Sequence, residues 1–222
     1  GAGGGLGRQH ALLLARRGAR VVVNDLGAGA DAVAAEIVAA GGQARAVQCS
    51  VTDADAVQAM VDGVVAEWGR VDILVNNAGI LRDKSFAKMS MADFRLVLDV
   101  HVMGAALCSH AVWAAMREQK YGRIVMTTSS SGLWGNFGQA NYGAAKMALV
   151  GLMQTLSIEG AKNDIRVNCL APTAATRMTE GLMPEDVLRA LDPAAVVPAM
   201  LVMASDNAPN RTVLCAGAGT FE

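Results

Sequence analysis

Two side chains that could move a proton lie in the stretch Tyr142-Gly-Ala-Ala-Lys146. In a helix this spacing places both side chains on one face. A free tyrosine ionises near pH ~10, and a neighbouring ammonium stabilises the phenolate, so Tyr142 could serve as a base at lower pH. Ser129 lies upstream, at the predicted carboxyl end of a strand, where open α/β sheets place their active sites. Together, Ser129, Tyr142 and Lys146 predict acid–base chemistry on a hydroxyl or carbonyl group.

A second group of residues could hold a pyrophosphate. Gly1, Gly5 and Gly7 form a Gly-x-x-x-Gly-x-Gly turn that opens a predicted helix over residues 8–17. Such a turn lets the backbone approach a phosphate at a helix N-terminus. Asp25 ends a predicted strand at the position that holds ribose hydroxyls and repels a 2′-phosphate, which favours NAD over NADP. A purely structural glycine turn and a turn role for Asp25 are the alternatives.

Composition excludes several classes of protein. The 222 residues carry a formal net charge of −1, which gives no general attraction to nucleic acid or to an anionic membrane. Hydrophobic residues make up 53% and charged residues 18%, which excludes wholesale disorder. No apolar run approaches the ~18 residues of a membrane span. The four cysteines are widely spaced, so no metal site is predicted and a cytoplasmic location is expected.

Short apolar strands alternate with longer helices along the chain, the pattern of a doubly wound parallel sheet. We therefore predict an α/β fold with one Rossmann domain over residues 1–222. The strands are predicted at 20–24, 44–49, 71–75, 122–128, 166–171 and 212–215, and the helices at 8–17, 30–40, 53–68 (capped by Thr52 or Asp53), 93–118 and 140–162.

The order of these motifs resembles the short-chain dehydrogenase/reductase family over essentially the whole chain. The resemblance implies a nicotinamide-dependent hydride transfer, in which Tyr142 is the acid/base, Lys146 lowers its pKa and holds the nicotinamide ribose, and Ser129 polarises the substrate oxygen. It also implies a strand ahead of Gly1, and we expect native residues to be missing there and after Asp25. The implied cofactor-binding residues are Gly1, Gly5, Leu6, Gly7, Asp25, Ser50, Val51, Asn76, Ala78, Gly79, Tyr142, Lys146, Pro172 and Thr173.

A closer resemblance is to the (3R)-hydroxyacyl-CoA dehydrogenase domain of peroxisomal multifunctional enzyme type 2 and its stand-alone bacterial relatives. The stretches that carry it are 24–27, 78–86, 121–124, 135–142, 177–179 and 183–186. It implies NAD-dependent oxidation of a (3R)-3-hydroxyacyl-CoA in fatty acid metabolism, and a homodimer or homotetramer formed through the helices at 93–118 and 140–162. A reductase acting on 3-ketoacyl groups of carrier protein or CoA, and a non-catalytic NAD sensor, remain the alternatives.

Three positions depart from the pattern common in the wider family. His101 stands where many members have an asparagine that holds a water in a proton relay; it could hold that water, shuttle a proton itself, or be structural. Ser50 replaces an aspartate, and Thr173 replaces a glycine after Pro172.

The substrate pocket is predicted from two stretches that flank the acid–base residues. An apolar wall would suit an acyl chain, although ordinary core or interface packing explains these residues equally well. Basic side chains would suit the CoA phosphates, although plain solvation is the more common reason for exposed basic residues. The apolar candidates are Trp134, Phe137, Met178, Leu182 and Met183, and the basic ones are Arg82, Lys84 and Arg177.

Overall fold

Parallel strands with helices on both faces form the frame of the molecule, as the alternation of the sequence predicts. The computed structural model describes residues 1–175 and 191–222. In that part of the chain the helices are α1 (Gly5–Arg16), α2 (Gly29–Ala39), α3 (Ala54–Trp68), α4 (Met91–Leu98), α5 (Gly104–Gln119), α6 (Ser130–Trp134), α7 (Ala140–Gly160) and α8 (Val197–Ala204). The strands are β1 (Arg20–Asp25), β2 (Gln43–Gln48), β3 (Ile73–Asn76), β4 (Gly122–Thr127), β5 (Ile165–Thr173), β6 (Val213–Gly217) and β7 (Thr220–Phe221).

The parallel α/β fold is confirmed, and within the described residues its strands form two sheets. β1 and β2 make a parallel pair, while β3, β4, β5 and β6 pair in parallel in that order. β7 adds an antiparallel edge to β6 that the sequence did not predict. β1 and β3 do not pair with each other. Each of these strands therefore has one edge without a described neighbouring strand.

The core is built around β4, which lies between β3 and β5 in the larger sheet. Every residue of β4 is buried, including the polar Arg123 and Thr127, as expected for a parallel strand covered on both faces. Ile124 and Met126 pack with Met116 of α5 and Met153 of α7 on one face. Val125 points to the other face and packs in the cluster that contains α8. Packed side chains therefore support β4 on both faces of the sheet, and they hold its carboxyl end in place.

Local signals fix most element boundaries. Asp53, rather than Thr52, caps α3 by accepting a hydrogen bond from Ala56 N (3.0 Å), and Gly69 ends that helix in a left-handed conformation. α1 begins at Gly5, three residues before its predicted start, because the glycine turn itself enters the helix. The predicted helix at 93–118 is instead two α-helices joined by a π-helical turn at Asp99–Met103.

Among the described residues, this helical stretch is also a candidate membrane span, which corrects the expectation from unbroken apolar runs in the sequence. By length and composition alone, Met91–Gln119 could cross a membrane, a test that core helices of soluble proteins also pass. In the fold it packs against α3 and α7 and against strands β3 and β4. Its apolar character is therefore accounted for in part by the core.

Candidate active site

A cleft of about 680 Å³ opens at the carboxyl ends of β1, β3, β4 and β5. The ends of parallel strands meet at one edge of a sheet, so residues far apart in sequence come together there. The glycine turn lies at one side of the cleft, and Ser129, Tyr142 and Lys146 lie at the other. The cleft therefore joins the two groups of residues that the sequence singled out.

The acid–base residues are held by the end of β4 and by the first turns of α7. Ser129 caps α6 by accepting a hydrogen bond from Ser131 N (3.2 Å). Tyr142 and Lys146 share one face of α7, and the Lys146 Nζ atom lies 5.4 Å from the centre of the Tyr142 ring. Lys146 Nζ donates to Thr127 O (2.6 Å), and Thr128 Oγ1 donates to Lys146 O (2.7 Å). These bonds fix the lysine against the strand end.

Burial dominates the ionisation of this pair. It raises the pKa of Tyr142 above its ordinary value, a hydrogen bond with Ser129 acts to lower it, and the Asp83 carboxylate raises it. Burial also lowers the pKa of Lys146 from 10.5 to about 7. Desolvation of the phenolate is the largest of the effects on Tyr142, so the pKa of Tyr142 lies above its ordinary value rather than below it, as the resemblance had implied.

The π-helical turn between α4 and α5 contains His101 and places its side chain in the same cleft. Such turns are rare and occur often at functional sites. The ring of His101 packs edge-on against Tyr142, with centroids 5.3 Å apart. Its Nε2 atom lies 3.0 Å from Ile80 N and 2.9 Å from Ile80 O, while Nδ1 is buried without a partner. A Cβ atom at Gly79 would collide with the Cε1 atom of His101, so this approach requires glycine.

The glycine turn and Asp25 form the other end of the cleft. Asp25 Oδ2 accepts from Gly3 N (2.9 Å), and Oδ1 accepts from Leu26 N (2.7 Å). Burial opposes ionisation of Asp25, but the backbone donors, Gly3 first, act against it, and the pKa of Asp25 lies below the usual value. A Cβ at Gly7 would collide with Gly1 O, which explains the glycine there. A free α1 N-terminus beside an ionised carboxylate fits the pyrophosphate and ribose of a dinucleotide.

Most of the predicted site residues line this one cleft, and two do not. Gly7 is buried behind Gly1, and the side chain of Asn76 donates to Ser109 Oγ of α5 (3.1 Å). The neighbouring Asn77 lines the cleft instead and donates to Gly1 O (2.7 Å). The predicted residues that line the cleft are Gly1, Gly5, Leu6, Asp25, Ser50, Val51, Ala78, Gly79, His101, Ser129, Tyr142, Lys146, Pro172 and Thr173.

The rim of the cleft contains residues that sequence reasoning missed. Gln139 Nε2 donates to Asp83 Oδ2 (2.7 Å), and Lys84 N donates to Gly138 O (2.9 Å). The buried Asn141 donates to Arg82 O (3.0 Å) and accepts from Tyr142 N (2.7 Å). These bonds tie the segment after β3 to the start of α7. Their partners are distant in sequence, so no local pattern pointed to them.

The predicted substrate wall is described only in part. Trp134 and Phe137 are exposed, at 74% and 89% of their surface, which leaves apolar area free beside the cleft. Arg82 and Lys84 are exposed too, and Arg82 lies 3.8 Å from the Asp93 carboxylate. Four of the predicted wall and phosphate residues lie outside the described residues: Arg177, Met178, Leu182 and Met183.

Two buried histidines are expected to make the fold sensitive to acid. Burial lowers the pKa of His10 from 6.5 to about 4, and burial together with Lys146 lowers that of His101 to about 3. Because both values are depressed, their contribution to stability is complete above about pH 6.5 and is lost as the pH falls. We expect the unfolding free energy to decrease by up to ~1.4 kcal/mol per pH unit for each histidine between about pH 6.5 and 4.

Urea unfolding at several pH values measures this slope. A His10→Leu variant should show a shallower slope than the unmodified protein, because one titrating ring has been removed. An unchanged slope in that variant would exclude His10 as a source of the acid sensitivity.

Comparisons with known proteins agree with this architecture. A family model described as short chain dehydrogenase matches residues 1–186. The chain is 49% identical over 217 residues to peroxisomal multifunctional enzyme type 2 of Drosophila melanogaster, covering 93% of this chain and 36% of that protein. It is 49% identical over 233 residues to a Mycobacterium tuberculosis protein named as a short-chain type dehydrogenase/reductase, covering 100% and 82%. It is 45% identical over 192 residues to a Synechocystis 3-oxoacyl-[acyl-carrier-protein] reductase, covering 85% and 78%.

A solved structure extends the similarity to three dimensions. The crystal structure of a short chain dehydrogenase from Mycobacterium avium matches with a TM-score of 0.90 and 37% identity, covering 100% of this chain and 82% of that one. By contrast, the chain spans only 24% to 52% of the length of two peroxisomal multifunctional enzymes and a peroxisomal hydratase-dehydrogenase-epimerase.

Proposed function

The chain belongs to the short-chain dehydrogenase/reductase family, and from this we propose that it oxidises a (3R)-3-hydroxyacyl-CoA to the 3-ketoacyl-CoA with NAD. The observation that carries the proposal is the meeting of Ser129, Tyr142 and Lys146 with the glycine turn and Asp25 in one cleft. The substrate class follows from the stretches shared with hydroxyacyl-CoA dehydrogenase domains and from the identity to peroxisomal multifunctional enzymes.

Each reactive residue of the cleft would have its own role in such a reaction. The bound nicotinamide dinucleotide supplies the hydride acceptor. Tyr142 takes the proton of the substrate hydroxyl, and Ser129 donates a hydrogen bond to the same oxygen. Lys146, fixed by Thr127 O, presents its ammonium beside the phenol. Because burial raises the pKa of Tyr142, this phenol would become a competent base only beside a positive charge, which a bound nicotinamide ring would supply.

The geometry around His101 supports a water-holding role over a proton shuttle. A shuttle needs one nitrogen to receive a proton while the other releases it. Both backbone groups of Ile80 enclose Nε2, and neither can carry the proton away. Burial and Lys146 also disfavour the charged ring. We therefore propose that His101 is a positioning residue, and that its Nδ1 atom, which has no hydrogen-bond partner in the structure, would hold the water of the relay.

Replacing His101 should distinguish the water-holding role from the proton-shuttle role. We expect His101→Ala to lower kcat at least about tenfold and to shift the pH profile, because the water loses its fixed partner. His101→Asn should restore most of the rate, since an amide can hold a water but cannot shuttle a proton. His110→Ala is the matched control, because His110 is exposed on the same helix. If His101→Asn is as slow as His101→Ala, the water-holding role is wrong.

Asp25 is expected to set the choice of cofactor. Its carboxylate is held at the cleft by two backbone donors, where it would repel a 2′-phosphate. Asp25→Asn should reduce the preference for NADH over NADPH by about 10- to 100-fold in the ratio of Kd values. Fluorescence titration with both cofactors measures this ratio without any substrate. The exposed Asp62→Asn variant serves as the charge-matched control, and an equal change there would refute the assignment.

Formation of NADH from (3R)-3-hydroxybutyryl-CoA, and from a longer-chain homologue, tests the proposed reaction. We expect turnover of the (3R) substrate with NAD and little with the (3S) isomer. The identity to an acyl-carrier-protein reductase makes 3-ketoacyl reduction the second candidate function. Oxidation of NADH or NADPH in the presence of a 3-ketoacyl carrier protein tests this second candidate. Cofactor binding without turnover in either direction would favour a sensor.

We propose that the chain assembles into a dimer or tetramer through the exposed surface of its long helices. Met91, Leu96, Met103, Met147 and Ile158 each leave 41% to 63% of their surface exposed. Apolar side chains at this density on neighbouring helices favour burial against a second copy. Sedimentation as a monomer at micromolar concentration would overturn this proposal.

A further inference from the structure

Asn141 is the buried polar residue that directly precedes the reactive tyrosine. Its side chain is 0% exposed and lies in the first turn of α7. The Oδ1 atom accepts a hydrogen bond from Tyr142 N (2.7 Å), and the Nδ2 atom donates to Arg82 O (3.0 Å). A fully buried amide that meets two backbone groups is held in one orientation, because breaking either bond in the interior costs more than breaking it at the surface.

The bond to Tyr142 N serves as a helix cap. The first N–H groups of an α-helix have no carbonyl partner within the helix, and a side-chain oxygen usually accepts from one of them. Gln139 precedes α7, but its side chain donates to Asp83 Oδ2 (2.7 Å) instead of capping the helix. Asn141 supplies the acceptor from inside the first turn. The start of α7 is therefore held at the backbone of the residue whose side chain reacts.

The other partner of Asn141 lies on the segment that holds His101. Ile80 lies just before Arg82 in the chain, and its backbone groups enclose His101 Nε2 at 3.0 and 2.9 Å. The His101 ring packs edge-on against the Tyr142 ring, with centroids 5.3 Å apart. A closed loop of contacts thus links Asn141, Arg82, Ile80, His101 and Tyr142. A shift of the segment after β3 would change the distance between the two rings.

Two other hydrogen bonds join the same segments, and both lie nearer the surface. Lys84 N donates to Gly138 O (2.9 Å), and the Gln139 side chain donates to the Asp83 carboxylate. Lys84 and Asp83 are exposed, so water competes for these bonds. The Asn141 side chain is fully buried, so its bonds face less competition. Asn141 is therefore the residue best placed to fix the segment relative to α7.

We propose that Asn141 is a positioning residue for the reaction at Tyr142: by fastening Arg82 O to the start of α7, it sets the distance and angle between the Tyr142 and His101 rings. The inference rests on the proposed function in one respect, namely that Tyr142 is the acid/base. The amide acts through the tyrosine, since the described residues that line the cleft do not include Asn141.

Titration of the Tyr142 phenol tests this role without any substrate. The sequence contains two tyrosines, so a Tyr121→Phe background leaves Tyr142 as a single reporter, isotope-labelled at its Cζ atom for NMR. Burial raises the pKa of Tyr142 in the unmodified protein. Asn141→Ala should loosen the contact with His101 and admit water, so we expect the phenol to titrate at lower pH than in the parent protein.

Kinetics with the proposed substrate give a second readout. We expect Asn141→Ala to lower kcat at least about tenfold while KM stays within about threefold, because a misplaced reacting group affects the transition state more than binding. Asn141→Asp keeps an acceptor for Tyr142 N, but its carboxylate cannot donate to Arg82 O, so it should lose kcat similarly. This second variant keeps the test decisive if Asn141→Ala does not fold.

Asn163→Ala is the matched control, because Asn163 follows the same helix and its amide donates to Arg117 O (3.5 Å). It should change neither the phenol titration nor kcat, and effects equal to those of Asn141→Ala would overturn the proposal. A lower Tm in Asn141→Ala with unchanged titration and kcat would also overturn it. A shifted titration in Asn141→Ala, when the unmodified protein turns over no hydroxyacyl-CoA, would support the role of Asn141 while contradicting the proposed function.

Discussion

Tyr142→Phe is expected to lower kcat by about 10²- to 10⁴-fold while leaving the Kd for NADH within about threefold of the unmodified protein. The substitution removes one hydroxyl and keeps the ring that packs against His101. Ser129 can still hydrogen-bond the substrate oxygen, but no group at that position remains to take its proton. In the unmodified enzyme the oxidation rate should rise with pH, because the phenol must ionise before it accepts the proton and burial raises its pKa.

The sequence contains only one other tyrosine, which provides a matched control. Tyr121 donates its hydroxyl to Asp206 Oδ1 (2.9 Å), next to Arg123 and away from the cleft. Tyr121→Phe makes the same chemical change and should leave kcat within about twofold. Steady-state rates and NADH titrations of both variants test the prediction. Comparable activity in Tyr142→Phe and the unmodified enzyme would remove Tyr142 from the reaction.

Arg123→Met is expected to cost about 3–5 kcal/mol of unfolding free energy. The Arg123 guanidinium is 1% exposed, and all of its nitrogens donate hydrogen bonds. It donates to the carbonyls of Ser205, Gly122, Asp164 and Asp206 and to the Asp164 carboxylate, at 2.7 to 3.1 Å. Methionine fills similar space but leaves these acceptors without a donor at the amino end of β4.

Urea unfolding measures this loss, and a surface arginine gives the comparison. Arg70 pairs with Asp72 at 2.6 Å, but 52% of its side-chain surface is exposed. Arg70→Met should therefore cost about 0–1 kcal/mol. The loss of unfolding free energy for Arg123→Lys should lie between those of Arg123→Met and Arg70→Met. One ammonium cannot reach all the acceptors that the planar guanidinium contacts. A loss below about 1 kcal/mol for Arg123→Met would contradict the assigned role of the network.

Several features of the protein were readable from local sequence. Apolar runs of strand length alternating with helical periodicity predicted a parallel α/β fold, and every pairing among strands β1 to β6 is parallel. The four-residue spacing of Tyr142 and Lys146 predicted a shared helix face. Asp53 and Gly69 predicted the ends of α3. These predictions succeeded because periodicity, capping and turn chemistry depend on neighbours in the chain.

Other features were decided only when distant segments met. The split between β1 and β3, the five bonds of Arg123 and the approach of His101 to Ile80 all join residues that no local pattern relates. The ionisation of Tyr142 went opposite to the sequence-based expectation, because spacing reveals a nearby ammonium but not the removal of water. The sequence by itself therefore determined the elements and the identities of the reactive groups. The tertiary structure decided how far each group is desolvated and which backbone atoms it meets, since both depend on the assembled core.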